Sequence, residues 1–191
     1  VLRGASNILA GHAQEGLLDF ADSGMSYQPE VALWVAVALA QLRDWPTAEE
    51  KFALTENILV SYPEPFYSRF SILAIEAAEA AGKDREAAEW LDRLETGPHP
   101  ESIRPAILYL RGVLHSRNGR AEVARTLWRE AKGLHDQLYK IRAELALVDL
   151  GVATGSLTPV QAAERLEGLR YAWRGVGLEL DILHRLGTFY I

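Results

Sequence analysis

Five histidines, His12, His99, His115, His135 and His184, are the side chains of this sequence best suited to proton transfer or metal binding near neutrality. None falls in a His-Glu-x-x-His helix, the spacing that brings two imidazoles onto one zinc ion. His135-Asp136 is the only adjacent pair of His and carboxylate, and it reads as a solvated helix end because no nucleophile elbow of the form Gly-x-Ser-x-Gly accompanies it. The carboxylate pairs Glu49-Glu50 and Glu76/Glu79 lie on helix faces and read as solubilising charge. Gly4 and Gly11, or Gly175 and Gly177, follow no strand, so no glycine loop is expected to cradle a phosphate. These residues predict no catalytic site, no cofactor and no metal site, and therefore no enzyme.

The chain has no cysteine, so it can build neither a disulfide framework nor a thiolate metal site, and it suits a reducing, cytoplasmic compartment. Its apolar stretch Val31 to Leu42 is too short to span a bilayer, and no signal-peptide pattern opens the chain. Of the 191 residues, 49% are hydrophobic and 24% charged, enough for a sizeable core. The net charge of −6 is unevenly spread: residues 1–100 carry 7 basic and 16 acidic side chains, residues 101–191 carry 13 and 10. That pattern reads first as an acidic solvated face, and second as a basic patch between Arg104 and Arg142 that could meet an acidic partner. A chain with no overall positive field is not expected to contact nucleic acid directly.

The elements that position these residues recur. Arg43-Asp44-Trp45-Pro46-Thr47-Ala48, Gly82-Lys83-Asp84-Arg85-Glu86-Ala87 and Asn118-Gly119-Arg120-Ala121-Glu122-Val123-Ala124 are each a polar break followed by a helix start with an early Ala. Four residues beyond Ala48, Ala87 and Ala124 come Phe52, Leu91 and Trp128, which share a helix face with those alanines. Helices are predicted before the breaks over Val31–Leu42, Phe66–Ala81, Ala106–Arg117 and Lys140–Thr154. After the breaks they are predicted over Pro46–Val60, Arg85–Glu95, Ala121–Leu134 and Pro159–Arg174. No convincing run alternates with period two, so strands are not expected. Thr158-Pro159-Val160-Gln161 reads as a capping box, and Asp44 and Asp84 as N-caps. Pro63, Pro65, Pro98, Pro100 and Pro105 fall between helix pairs. The tryptophans Trp34, Trp45, Trp90, Trp128 and Trp173 are spread along the units, as packing residues would be.

These pairs resemble tetratricopeptide repeats. The third unit matches best, with Leu108, Arg111-Gly112, His115, Gly119, Ala124, Trp128 and Ala131, although Arg111 and His115 stand where the family carries Leu and Tyr. The first-helix signature returns at Leu183, Leu186-Gly187 and Tyr190, while Ala13, Leu17 and Phe20 look like the second helix of an earlier unit. The period is about 35 to 39 rather than a strict 34. The resemblance implies an all-α fold: a right-handed solenoid of antiparallel helix pairs with about 10 helices, forming one repeat domain over residues 1–191. Another antiparallel helical-hairpin array is the alternative. Leu183, Leu186 and Tyr190 are expected to be exposed on a last helix without its partner, so a longer protein, beginning before Val1 and continuing past Ile191, is expected.

The resemblance also implies a concave wall lined by the first helices. By helical spacing that wall includes Leu33, Val37, Ile72, Glu76, Tyr109, Val113, Leu145 and Asp149, with Arg69 and Arg142 at its rim. It lacks the Lys and Asn cluster that would clamp a terminal carboxylate, and could accept an amphipathic helix or an extended peptide. The function implied is a non-catalytic scaffold that binds a protein, a peptide or a neighbouring domain of its own chain. No membrane contact is expected. A second resemblance rests on Arg165-Leu166-Glu167-Gly168-Leu169-Arg170 and Gly175-Val176-Gly177-Leu178-Glu179. It is to the ligand-sensing repeat domains of large bacterial transcription activators, which are similar to a domain that binds maltotriose. The excess of Arg (16) over Lys (4) is in keeping with a bacterial source.

Overall fold

The structure, a computed structural model, describes residues 1–22, 28–169 and 176–189. The described residues form twelve α-helices and one 3-10 turn, Glu101–Ile103, and contain no strand. They make two compact units, Val1–Pro100 and Glu101–Ile191.

The first unit holds α1 (Leu2–Leu9), α2 (Ala13–Asp22), α3 (Pro29–Gln41), α4 (Trp45–Leu54), α5 (Glu56–Leu59), α6 (Phe66–Ala80) and α7 (Asp84–Thr96). Within it α1 packs on α2, and both touch α3. The same pattern recurs one step on: α3 packs on α4, and both touch α6. α3 is buried on nearly every side, through Val31, Leu33, Trp34, Ala36, Val37, Ala38 and Ala40. A helix that is apolar all round belongs inside, and α3 is enclosed by α1, α2, α4, α5 and α6. Beside it Trp34 meets Phe70 edge-on at 5.1 Å, and its indole Nε1 donates to Tyr62 Oη at 3.0 Å.

The second unit holds α8 (Arg104–Arg117), α9 (Ala121–Gly133), α10 (Gln137–Ala153), α11 (Pro159–Leu169) and α12 (Val176–Phe189). α8 packs on α9, and both touch α10; α11 then packs on α10 and α12. Ala124, Trp128, Ala131 and Ala143 form one buried cluster, and Ile141, Leu145, Val148, Ala162, Ala163, Leu166, Ile182 and Leu186 another.

The hairpins are alike in their backbone. The chain turns with positive φ at Gly11, Arg43, Gly82, Gly119 and Gly155. In the first four turns the next residue's N–H closes the helix by bonding five residues back, as in His12 N to Asn7 O (2.8 Å) and Arg120 N to His115 O (2.9 Å). This C-terminal lock satisfies carbonyls that the helix leaves open. Five residues after each of those four turns comes a small residue, Gly16, Ala48, Ala87 or Ala124, and four later a large one, Phe20, Phe52, Leu91 or Trp128. All three alanines and all four large side chains are buried.

Several expectations change. The first helix pair is complete, because α1 packs on α2. Residues 46–60 do not form one helix: Thr55 turns its Oγ1 back on the Lys51 carbonyl (2.8 Å), and the chain restarts as α5. These two elements raise the count from about ten. Asp44 sits at an N-cap but takes its hydrogen bond from Thr47 Oγ1, and Asp84 lies inside α7, whose N-cap is Lys83. The capping box does form: Gln161 N donates to Thr158 Oγ1 at 3.2 Å, and Thr158 N to Gln161 Oε1 at 3.0 Å. Leu186 is buried rather than exposed, Leu183 is exposed, and Tyr190 and Trp173 lie outside the described residues.

Candidate functional site

His135-Asp136 resolves into a helix start. Asp136 accepts from Tyr139 N at 2.9 Å and so caps α10. Its carboxylate is committed to the backbone. Among the described residues no three His, Asp or Glu side chains come together as metal ligands would. No described helix is long and apolar enough to cross a membrane.

The ten residues expected on the binding wall fall in both units. In the first unit Leu33 and Val37 are 0% and 1% exposed, core residues of α3 rather than a surface. Ile72 and Glu76 on α6 are half-buried, and Arg69 is exposed beside them. In the second unit Leu145 is 4% exposed, packed among Ile141, Val148 and Leu166. Burial takes these three leucine and valine side chains out of any open wall in this structure.

The other four residues of the second unit are only partly covered, and they gather on one side of α8 and α10. The Tyr109 and Tyr139 rings lie 5.8 Å apart, and the Arg142 guanidinium stands 5.9 Å from the first and 5.4 Å from the second. A cation placed over two rings is attracted by their negative faces, which holds its side chain in place. Val113 lies one turn from Tyr109 and packs on the Trp128 cluster. Asp149 is gripped by Arg185 of α12, through Nε at 3.1 and 3.0 Å and Nη2 at 2.9 Å. The arrangement puts one half-open ring, one half-open cation and an apolar step beside a second ring that is buried.

No protein-family model, no curated protein and no solved structure matches this chain.

The second reading of the charge pattern is a basic patch between Arg104 and Arg142. Arg104 instead pairs with Glu130 (2.8 Å) and Glu101 (3.3 Å). The α9 cations Arg125, Arg129 and Lys132 share one helix face and line a cleft with Lys140 of α10 and Arg165 of α11. Their spacing on α9 was visible in the sequence. The contribution of Arg165, forty residues beyond Arg125, was not. His115 of α8 titrates below the ordinary histidine range, because burial and then the charges of Arg120 and Arg111 disfavour its protonated form.

Proposed function

We propose that this chain is a tetratricopeptide-like helical solenoid serving as a non-catalytic binding scaffold. It takes a protein or peptide partner, or a neighbouring domain, along the face of its first helices. The observation that carries this reading is the Tyr109–Tyr139–Arg142 group on α8 and α10, two rings and a cation, with Tyr109 and Arg142 half-open. Aromatic and Arg side chains supply large contact area at low entropic cost and dominate interface energies. The recurrent order of helix contacts within each unit supports the solenoid, since such arrays bury their core between neighbouring repeats. The reading has no enzyme chemistry, cofactor, membrane contact or direct nucleic-acid contact, and its location is the cytoplasm.

The test replaces Tyr109 with a photo-crosslinking phenylalanine in the full-length protein in its own cells. A discrete crosslinked band is expected there, lost when Arg142→Ala is added, and no band is expected from the same probe at exposed Thr126 of α9. Equal crosslinking from both positions would remove the first-helix face as the site.

A second reading, a ligand-sensing repeat domain of a bacterial transcription activator, is favoured by one observation: the cleft beside α10 is lined by more cations than the chain neutralises.

A further inference from the structure

We propose that the cleft between α9 and α11, floored by α10, binds a small phosphate monoester with a short apolar or aromatic body. The inference stands whether or not the first-helix face takes a partner.

The charge of the cleft is the first reason. Arg125, Arg129, Lys132, Lys140 and Arg165 line it, and Glu144 is the one carboxylate among its described lining residues. Lys132 spends its charge on Glu144, with Nζ 2.5 Å from Oε2. Arg125 Nε lies 3.4 Å from Glu122. The side chains of Arg129, Lys140 and Arg165 have no ion pair or hydrogen bond among the described residues. Cations elsewhere in this acidic chain are commonly neutralised, as in Arg3–Asp19, Lys83–Glu49, Arg93–Glu56 and Arg185–Asp149. Three uncompensated cations around one hollow raise the local potential and concentrate anions there. A monoester dianion matches that surplus, and guanidinium forks suit its oxygens.

An unmet donor is the second reason. Arg125 Nε is closed off from water. It lies 3.4 Å from Glu122, yet without the alignment of a hydrogen bond. A buried donor of this kind is uncommon and calls for an acceptor. Arg125 lines the cleft.

Shape is the third reason. The cleft has two lobes of about 350 and 360 Å³ that share Lys132, Glu144 and Arg165. Each lies within the range of about 300–1,000 Å³ usual for small-molecule sites. The first lobe adds Arg125 and Arg129, a seat for the charged head. The second adds Ile141 and Leu169, an apolar seat for the body. On α10 the floor residue Gly151 is nine positions from Arg142, about half a revolution away at ~100° per residue, so the cleft opens away from the tyrosine pair.

Phenyl phosphate is the probe, followed by amide NMR shifts on the whole chain. Saturable shifts confined to α9, α10 and α11 are expected, with weaker binding of inorganic phosphate and none of phenol. The exposed pair Arg129→Glu/Arg165→Glu should weaken phenyl phosphate by about tenfold or more. It should leave the melting temperature and the Tyr109 crosslink unchanged, and Arg85→Glu in the first unit should change nothing. Three results would each overturn the proposal: no saturable shifts, undiminished binding by the charge-reversed pair, or a hexaglutamate peptide occupying the cleft more tightly than phenyl phosphate. The last would make it an acidic-polypeptide surface.

Discussion

Trp128 lies against Gly112 so closely that a Cβ placed on the glycine would stand 2.3 Å from the indole Nε1. That nitrogen donates to the Tyr109 carbonyl at 3.0 Å, which holds the ring in place. Gly112→Ala should therefore lower stability despite alanine's better helix propensity, by roughly 1–3 kcal/mol as an overpacked contact. Gly187→Ala in α12, where an added Cβ would meet no described atom within 4 Å beyond its own helix backbone, should instead raise it by roughly 0.5–1 kcal/mol. Urea unfolding of the two variants checks the contrast, and a loss in both would mean that Trp128 is not the cause.

The hairpin turns make a separate prediction. Gly119 has φ +72° and empty space where a side chain would sit, so the cost of Gly119→Ala is all backbone, about 1–2 kcal/mol. Gly119→Asn should cost less, because Asn tolerates that conformation. Arg43 holds φ 63° where the other turns use glycine, so Arg43→Gly should raise the melting temperature. Calorimetry should rank the Arg43→Gly variant above the unaltered chain, Gly119→Asn below it, and Gly119→Ala last.

Tyr62 should titrate late. Burial, and then the neighbouring Glu30 that accepts its hydroxyl at 3.1 Å, push the phenol up to about 12 from 10.0. The folded state thus keeps a proton that the unfolded state releases above pH 10, so this contribution is whole below pH 10 and lost as pH rises toward 12. Absorbance at tyrosinate wavelengths should show one late-titrating ring that Tyr62→Phe removes. The variant should also lose about 1 kcal/mol at neutral pH, because the Trp34 indole loses its acceptor.

His115 should show the opposite sign. Its folded value lies below the ordinary 6.5, so below that pH the unfolded chain gains a proton more readily than the folded one. Stability falls as pH drops through that region, and His115→Gln should flatten the fall. An NMR titration placing His115 at or above 6.5 would contradict this.

Much of the hairpin register was legible because its signals are local. The breaks at Arg43, Gly82, Gly119 and Gly155 follow from turn chemistry, and the small-then-large pairs follow from helical periodicity. The pairing of α1 with α2 was missed because Gly4 and Gly16, which let those helices approach, carry no hydrophobic signal: their missing side chains would meet Phe20 and Ile8. The break at Thr55 depends on one hydroxyl choosing a carbonyl. Leu33 and Val37 were placed on a wall because spacing identifies a face but not what covers it; the unbroken apolar run of α3 was the available sign that every face is covered. Asp149 was found without its partner, since Arg185 arrives from a helix thirty-six residues away.

The distance from Gly4 to Phe20 equals that from Gly112 to Trp128, sixteen residues each, while successive turn residues stand 32, 39, 37 and 36 apart. Length thus varies in the connectors and stays constant inside these two hairpins. Insertions are tolerable only outside the span that a small residue and its large partner enclose, so the hairpin is the natural unit for duplicating, deleting or shuffling segments of this chain.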